Sequence, residues 1–159
     1  MDNERSLAKA KEVFDQLVAT LDSKNWHYDK VEEKLMIQSG VKGDDLPIEF
    51  SLFVRPRNQV VQLLSRLPFE VPEDKRIDMA IATCVANFKL VDGSFDYDIS
   101  DGTILFRQTC SFRESILGAE LFEYMIYCAA GTIDEYNDQF FMLAKNMITI
   151  QQFMEKQAE

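Results

Sequence analysis

Histidine and glycine are scarce in this sequence. It contains a single histidine, His27, and six glycines spread along the chain. One histidine cannot build a multi-histidine zinc site, and no nucleophile motif accompanies His27. Isolated glycines form neither the phosphate loop of nucleotide hydrolases nor the glycine-rich turn that binds dinucleotides. The sequence therefore predicts no catalytic residue, no metal site and no cofactor.

Cysteine and long apolar runs are also scarce. The three cysteines, Cys84, Cys110 and Cys128, are odd in number and lie in apolar sequence. We therefore interpret them as reduced core side chains rather than as a disulfide framework. No apolar run approaches the roughly 18 residues of a membrane span, and the N-terminal residues are polar. These features favour a cytoplasmic protein with no membrane partner.

Basic residues are outnumbered by acidic ones. Seventeen Lys and Arg against 27 Asp and Glu give a formal net charge of -10, which repels nucleic-acid phosphates and anionic lipids. No nucleic-acid partner is therefore expected, and the densest basic segment, Arg55-Pro56-Arg57, fits a polar turn. The chain has 159 residues, 47% of them hydrophobic, so we expect a single domain over residues 1–159.

Apolar periodicity predicts the first half of the fold. Helical spacing from Leu7 indicates an amphipathic helix that ends at the polar turn 22–25. Three extended segments follow, over residues 31–41, 46–55 and 59–67. The second alternates most clearly, and it places five apolar side chains on one face of a sheet: Leu46, Ile48, Phe50, Leu52 and Val54.

A second helix and a hairpin come next. Pro68 and Pro72 are expected to end the third extended segment, because proline cannot donate a hydrogen bond to a sheet. The helix should run from the acidic residues after Pro72 to about Phe88. Its buried stripe is predicted from helical spacing as Ile77, Ala80, Ile81, Cys84, Val85 and Phe88. Residues 94–99 and 103–110 then predict a hairpin.

The hairpin turn is rich in acidic residues but does not fit a calcium loop. An EF-hand loop that began at Asp96 would need glycine where Asp101 stands and a carboxylate where Arg107 stands. The Asp101-Gly102 pair instead predicts a tight turn between the two strands. We interpret the acidic side chains as the solvent-facing side of the hairpin.

The C-terminal region is predicted to be helical from about Leu117. Gly131 is expected to break it, because Thr132 and Glu135 behind it have the spacing of a capping box. Two C-terminal helices are therefore expected. The second is apolar around most of its circumference, with Phe141 and Ile148 off the main stripe, so it lies either deep in the core or against another subunit.

The alternation also predicts a partner-binding surface. If the even-numbered positions of residues 46–54 face the core, the opposite face of the sheet carries apolar side chains together with arginines. Such mixed surfaces are typical of recognition patches. The predicted partner-binding residues on the three strands are Met36, Phe53, Arg55, Leu105 and Arg107. The alternative is that a C-terminal helix covers this face.

The order of these elements resembles the YbjN family, which shares the fold of the class I type III secretion chaperones. The resemblance extends from about Leu7 to Phe153. The residues that carry it are Leu67-Pro68, Val71-Pro72, Arg76, Asn87, Gly93-Ser94-Phe95 and the segment from Gly102 to Arg107. It implies an α+β two-layer sandwich in which an antiparallel sheet packs against helices in the order α-β-β-β-α-β-β-α(α). It also implies a homodimer without catalytic residues.

Three functions follow from these observations. The resemblance implies a non-enzymatic sensory transduction regulator or a chaperone-like module that binds a protein partner, and this is the leading hypothesis. The alternative is a small-molecule sensor with a pocket between the sheet and the C-terminal helices, lined by Tyr97, Phe106, Tyr124 and Phe140. A third hypothesis is an enzyme that depends on His27.

Overall fold

The computed structural model describes residues 2–115 and 117–158. Within them, the helices are α1 (Asp2–Ser23), α2 (Arg76–Lys89), α3 (Ala119–Ala144) and α4 (Ile150–Ala158). The strands are β1 (Asp29–Val31), β2 (Met36–Lys42), β3 (Pro47–Arg55), β4 (Val60–Glu70), β5 (Ser94–Asp98) and β6 (Thr103–Ser111). None of these helices combines the length and the apolar character needed to cross a membrane.

The six strands form one antiparallel sheet in the order β1-β2-β3-β4-β6-β5. The predicted order of elements and the α+β class are confirmed. The extended segment predicted over residues 31–41 is divided, because a short 3-10 turn at Glu32–Lys34 separates β1 from β2. Leu35 closes this turn with a left-handed backbone. The short strand β1 thus becomes one edge of the sheet.

The core lies between the helices and one face of the sheet. Alternation along β3 buries Ile48, Phe50, Leu52 and Val54, as the sequence predicts, whereas the fifth predicted residue, Leu46, lies before β3 and is only half-buried. The four buried side chains join buried residues of α1 and α3 in one apolar cluster. Helix α3 contributes most, with eleven buried residues along its length. Of the two predictions for the C-terminal helical region, the one that places it deep in the core is therefore confirmed.

Aromatic rings fill the space between the β5–β6 hairpin and the C-terminal helices. Phe95 lies at the centre, with its ring 5.2 Å from Phe106, 5.6 Å from Tyr136 and 5.1 Å from Phe140. Phe140 also stacks on Phe153 of α4 at 5.8 Å. Edge-to-face and offset contacts of this kind add roughly 1 kcal/mol each to the gain from burial. They fix α3 and α4 against the hairpin.

The break predicted at Gly131 is wrong, because α3 continues through it. Glycine in a helix costs only about 1 kcal/mol, and the buried side chains on both sides outweigh this cost. The helix ends instead at Ala144, and residues 145–149 connect it to α4. There Thr149 and Gln152 form the capping box, in which the Thr149 N–H donates to Gln152 Oε1 at 2.9 Å and the Gln152 N–H donates to Thr149 Oγ1 at 3.2 Å.

The strand end predicted at Pro68 is also wrong. β4 continues to Glu70, and its pairing with β6 shifts register between Arg66 and Glu70. A β-bulge leaves one residue outside the ladder, so a proline that cannot donate is tolerated there. The prolines therefore mark a change in pairing at Pro68 and the end of the strand only before Pro72.

The buried stripe predicted for α2 lies on the wrong side of the helix. Its buried residues are Met79, Ala82, Thr83 and Ala86. Four residues of the predicted stripe are exposed instead: Ile77, Ile81, Cys84 and Phe88. The helix carries apolar residues on two sides, so spacing alone could not decide which side faces the core. The prediction that Cys84 is a core side chain fails for the same reason.

A substitution at Gly131 tests the continuity of α3. A Cβ atom at this position would meet no other atom within 4 Å. We expect Gly131→Ala to raise the free energy of unfolding by about 1 kcal/mol, because alanine restricts the unfolded chain and favours the helix. The measurement is urea unfolding followed by circular dichroism.

The matched control for this prediction is Gly102→Ala. Gly102 has a φ of +84°, and its Cβ would lie 2.3 Å from the Val71 carbonyl oxygen, so this substitution should lower stability. A Gly131→Ala protein that is less stable than the wild type would contradict the continuous helix.

Candidate functional site

The outer face is defined here as the sheet face opposite the helices. Strand pairing places Met36, Phe53, Gln62 and Thr109 side by side across β2, β3, β4 and β6. Met36 is buried, yet it lies outside the main core cluster, since its cover comes from neighbours on this face. Phe53 remains half-buried. In the described residues, the helices leave the outer face open to solvent.

Phe53 and Arg55 form the first part of this surface. The Arg55 guanidinium lies 4.4 Å from the centroid of the Phe53 ring, within the range of a cation–π interaction. Arg55 Nη2 also donates to Gln62 Oε1 at 3.2 Å. Gln62 Nε2 in turn donates to Thr109 Oγ1 at 3.4 Å. These contacts orient the guanidinium while leaving Arg55 partly exposed.

Leu105 and Arg107 lie on β6, two strands away from Phe53. Arg107 Nη2 forms an ion pair with Asp96 Oδ2 at 2.7 Å, and the two side chains are 47% and 36% exposed. An ion pair with this exposure contributes at most about 1 kcal/mol. Arg107 can therefore exchange Asp96 for another anion at little cost. The five predicted residues thus share one face, in two groups at opposite sides of β4.

Leu64 connects these two groups, and the sequence prediction missed it. It pairs with Ser51 on β3 and with Arg107 on β6. β4 is apolar on both faces, because Val61 and Leu63 point to the core while Val60 and Leu64 point outward. The alternation is therefore hidden in the sequence. Only the pairing register between β3 and β4 could have shown that Leu64 lies on the same sheet face as Phe53.

Two of the open depressions on the outer face include predicted residues. The first has a volume of about 580 Å³, and Phe53, Leu64 and Leu105 form its apolar part. The second has a volume of about 490 Å³ and includes Arg55 and Arg107. Of the predicted residues, two line the first depression and two line the second. Met36 lines neither depression and lies beside Phe53 on the neighbouring strand.

The residues proposed for a small-molecule pocket are spread over different parts of the fold. Phe106 and Phe140 are buried in the aromatic cluster, whereas Tyr124 is 49% exposed on α3. Hydrogen bonds to Cys128 and to Asp92 raise the pKa of Tyr124 to about 12, so its phenol is neutral near pH 7. Tyr97 and the two phenylalanines belong to the hairpin and the core.

His27 and the acidic residues offer no reactive arrangement. His27 is exposed in the loop between α1 and β1, and its carbonyl oxygen accepts a hydrogen bond from the Ser39 hydroxyl at 2.7 Å. Within residues 2–115 and 117–158, no group of three or more His, Cys, Asp or Glu side chains is placed to hold a metal ion. His27 therefore has a structural role in the loop through its backbone.

The exposed side of α2 forms a second surface, called here the α2 stripe and defined as Ile77, Ile81, Cys84 and Phe88. Ile77 is 67% exposed and Phe88 is 93% exposed. Val91, just beyond the helix, is fully exposed. Large apolar side chains grouped in this way are unusual on a protein surface that has no partner. The stripe is therefore a candidate interface.

Asn87 fixes α2 against the edge of the sheet. Its side-chain amide donates to the Phe95 carbonyl oxygen at 3.0 Å and accepts from the Phe95 N–H at 2.7 Å. The amide thus pairs with β5 as a neighbouring strand would. At the other end of the helix, Arg76 Nη1 donates to the Ser100 carbonyl oxygen at 2.7 Å.

The glycines on either side of β5 allow close packing in the same region. Gly93 has a φ of +76°, and a Cβ there would lie 2.4 Å from the Phe106 ring. The residues on which the family resemblance rests are thus those that join α2 to the β5–β6 hairpin. They define the fold and contain no reactive group.

The fold is that of the type III secretion chaperones and of YbjN. The crystal structure of E. coli YbjN, described as "a putative transcription regulator", matches with a TM-score of 0.59 and 12% identity, over 83% of this chain and 92% of that one. The crystal structure of the ExsC–ExsE complex matches with a TM-score of 0.56 and 15% identity, over 80% of this chain and 92% of that one. The structure of the HopA1–SchA chaperone–effector complex matches with a TM-score of 0.53 and 10% identity, over 77% of this chain and 91% of that one.

The chain belongs to the YbjN family. The family model, described as "putative bacterial sensory transduction regulator", matches residues 14–142, which is most of the chain. No curated protein sequence matches this chain. The structural similarities are at low identity, so they establish the fold alone.

Substitution of Asn87 tests its role as the link between α2 and the sheet. Asn87→Ala leaves the buried backbone of Phe95 without either hydrogen bond, so we expect a loss of about 2 kcal/mol in the free energy of unfolding. Asn58→Ala, at an exposed asparagine in the β3–β4 turn, serves as the control and should change stability by less than about 0.5 kcal/mol. Equal losses in urea unfolding would refute the proposed link.

Proposed function

We propose that the chain is a non-enzymatic regulatory or chaperone-like module that binds a protein partner on the outer face. The observation that carries this proposal is the open sheet surface on which Phe53, Leu64 and Leu105 lie between arginines. Apolar anchors supply most of the binding energy in such interfaces, and arginines at the rim supply orientation. The YbjN family and the chaperone–effector complexes of similar fold support this class of function.

The shape of the outer face favours an extended segment of the partner. These two depressions are open and follow each other along the central strand β4, the first beside Leu64 and the second beside Val60 and Gln62. A segment laid across them would bury apolar side chains between Phe53 and Leu105. Because none of the described helices covers the outer face, the segment would not have to displace any part of the fold that the structure describes. In this proposal the site residues are Met36, Phe53, Arg55, Leu105 and Arg107, with Leu64 added.

Site-specific photo-cross-linking tests the partner surface. A photoreactive amino acid in place of Leu64 should form an adduct with a protein from host lysate, whereas the same amino acid at Gln151, exposed on α4, should not. The double substitution Phe53→Asp, Arg107→Glu should abolish the adduct, because it removes the apolar anchor and reverses a charge. Adducts at both positions, or an adduct that survives the double substitution, would contradict this site.

The second part of the proposal is a homodimer formed through the α2 stripe. The helix is about 21 Å long, and its stripe has a regular spacing. An antiparallel second copy would place Ile77 of one α2 against Phe88 of the other and Ile81 against Cys84. A large side chain would then meet a smaller one at each of these positions. Such self-complementarity suits the two-fold axis of a dimer.

Charge also supports a second copy as the occupant of the stripe. The protein has a net charge of -10, so two copies repel each other unless their contact surface is neutral. Residues 79–88 of α2 contain no charged residue. The acidic residues before the helix, Glu73 and Asp74, are followed by the basic residues Lys75 and Arg76, so this end of the stripe carries little net charge.

Light scattering measures the proposed dimer directly. Wild-type protein should have twice the monomer mass, and Ile81→Asp should reduce it to the monomer mass, because a carboxylate would be buried without a partner. Met147→Asp, at a residue 65% exposed outside the stripe, is the matched control and should leave the dimer intact. In addition, Ile81→Cys should cross-link to Cys84 of the second copy under oxidation. A wild-type monomer would exclude this dimer.

We also propose a cytoplasmic location, and the remaining point concerns the classes of partner. The net charge of -10 leaves nucleic acids and membrane surfaces outside the expected partners.

A further inference from the structure

Three arginines surround the second depression of the outer face. Arg55 and Arg107 approach it from β3 and β6, and Arg113 approaches from the loop after β6. Arg113 Nη2 donates to the Asn58 carbonyl oxygen at 3.4 Å, which holds this side chain against the β3–β4 turn. The sequence prediction included two of these arginines and missed Arg113.

The lining of this depression contains no aspartate or glutamate. Its other members include Gln62, Thr109 and Ser111, which can donate hydrogen bonds from amide or hydroxyl groups. This composition is unusual for a protein with a net charge of -10. Since salt screens charges beyond about 8 Å, a ligand in contact with the depression experiences mainly Arg55 and Arg113, and also Arg107 when the ligand replaces Asp96 in its exposed ion pair.

The first depression has the opposite charge. Asp29 and Glu49 line it together with the apolar side chains, and its one arginine, Arg66, is paired with Glu70 at 2.9 Å. The outer face is therefore acidic at one end and basic at the other, with Leu64 between them. A bound segment can match both ends in only one direction along β4.

We propose that the arginine-lined depression binds carboxylate side chains of the partner's extended segment. The segment would place an apolar side chain between Phe53, Leu64 and Leu105, and an aspartate or glutamate about four residues away, because Val60 lies four positions from Leu64 on β4 and extended chains rise about 3.3 Å per residue. This inference rests on the proposed function and specifies the chemistry of the partner.

A segment fits the depression better than a small anion does. Arg107 and Arg113 are exposed, and single contacts to exposed arginines are weak. A free anion would have only these contacts, whereas a carboxylate on a segment is already held near them by the apolar anchor. Arginine also suits this role, because its planar fork can donate two hydrogen bonds to one carboxylate.

Selection from a displayed library of random peptides of about ten residues, a length that spans both depressions, tests this inference. Peptides selected on the wild-type protein should be enriched in Asp or Glu about four positions from an apolar residue. A selected peptide should bind the triple variant Arg55→Gln, Arg107→Gln, Arg113→Gln at least about tenfold more weakly. Arg57→Gln removes a neighbouring arginine outside the depression and should leave the affinity unchanged. Thermal unfolding checks that each variant is folded.

Two further results separate this inference from the proposed function. Selected peptides that lack acidic enrichment but lose affinity on Phe53→Asp would overturn the carboxylate site and leave the partner surface standing. No selected peptide at all, or peptides indifferent to Phe53→Asp, would overturn both. Inorganic phosphate is tested as the alternative ligand. If it stabilises the wild type but not the triple variant, and matches the peptide in affinity, the ligand is a small anion and the segment is excluded.

Discussion

The placement of every described helix on one side of the sheet or at its β5 edge is the constraint on which the other features depend. α3 buries eleven residues, and the aromatic cluster around Phe95 joins it to the β5–β6 hairpin and to α4. The opposite face then has only its own side chains for cover. Met36 is buried there by neighbours such as Phe53, while the arginines extend into solvent. A sheet with one uncovered face needs either polar residues or a partner, and this one has arginines beside apolar side chains.

The parts of the fold that could be predicted from the sequence are those where one pattern excludes the others. β3 alternates strictly, so the core side of Leu52 and the outer side of Phe53 both followed from spacing. α2 offered two apolar sides, and the side with the larger residues, Ile77 and Phe88, was chosen for the core. Small residues such as Ala82 and Ala86 face the core instead, and the helix lies close enough to β5 for Asn87 to reach Phe95. Close approach is a tertiary requirement that helical spacing does not contain.

The candidate site was predictable to a similar extent. Five of its residues lie on strands whose faces could be assigned, whereas Leu64 was hidden because β4 is apolar on both sides. Arg113 follows the end of β6, where no periodicity places a side chain. Its position became clear only from the hydrogen bond to Asn58 and the shared depression. The same limit explains why the capping box was predicted at Thr132 and not at Thr149. Both residues begin a Thr-x-x-Glu/Gln pattern, and only the packing of α3 decides between them.

The contacts of Asn87 also restrict how a second copy can bind. Edge strands commonly associate by extending the sheet, through the free N–H and C=O groups of the outermost strand. In β5 the outward-pointing N–H and C=O of Phe95 are both bonded to Asn87, and α2 lies beside them. A continuous sheet formed through β5 of two copies would have to break these bonds and displace the helix. Side-chain packing of α2 against α2 requires neither, because the stripe is already outside the fold. In the proposed dimer the two α2 helices pack together, and the outer face of each copy remains free for its own partner segment.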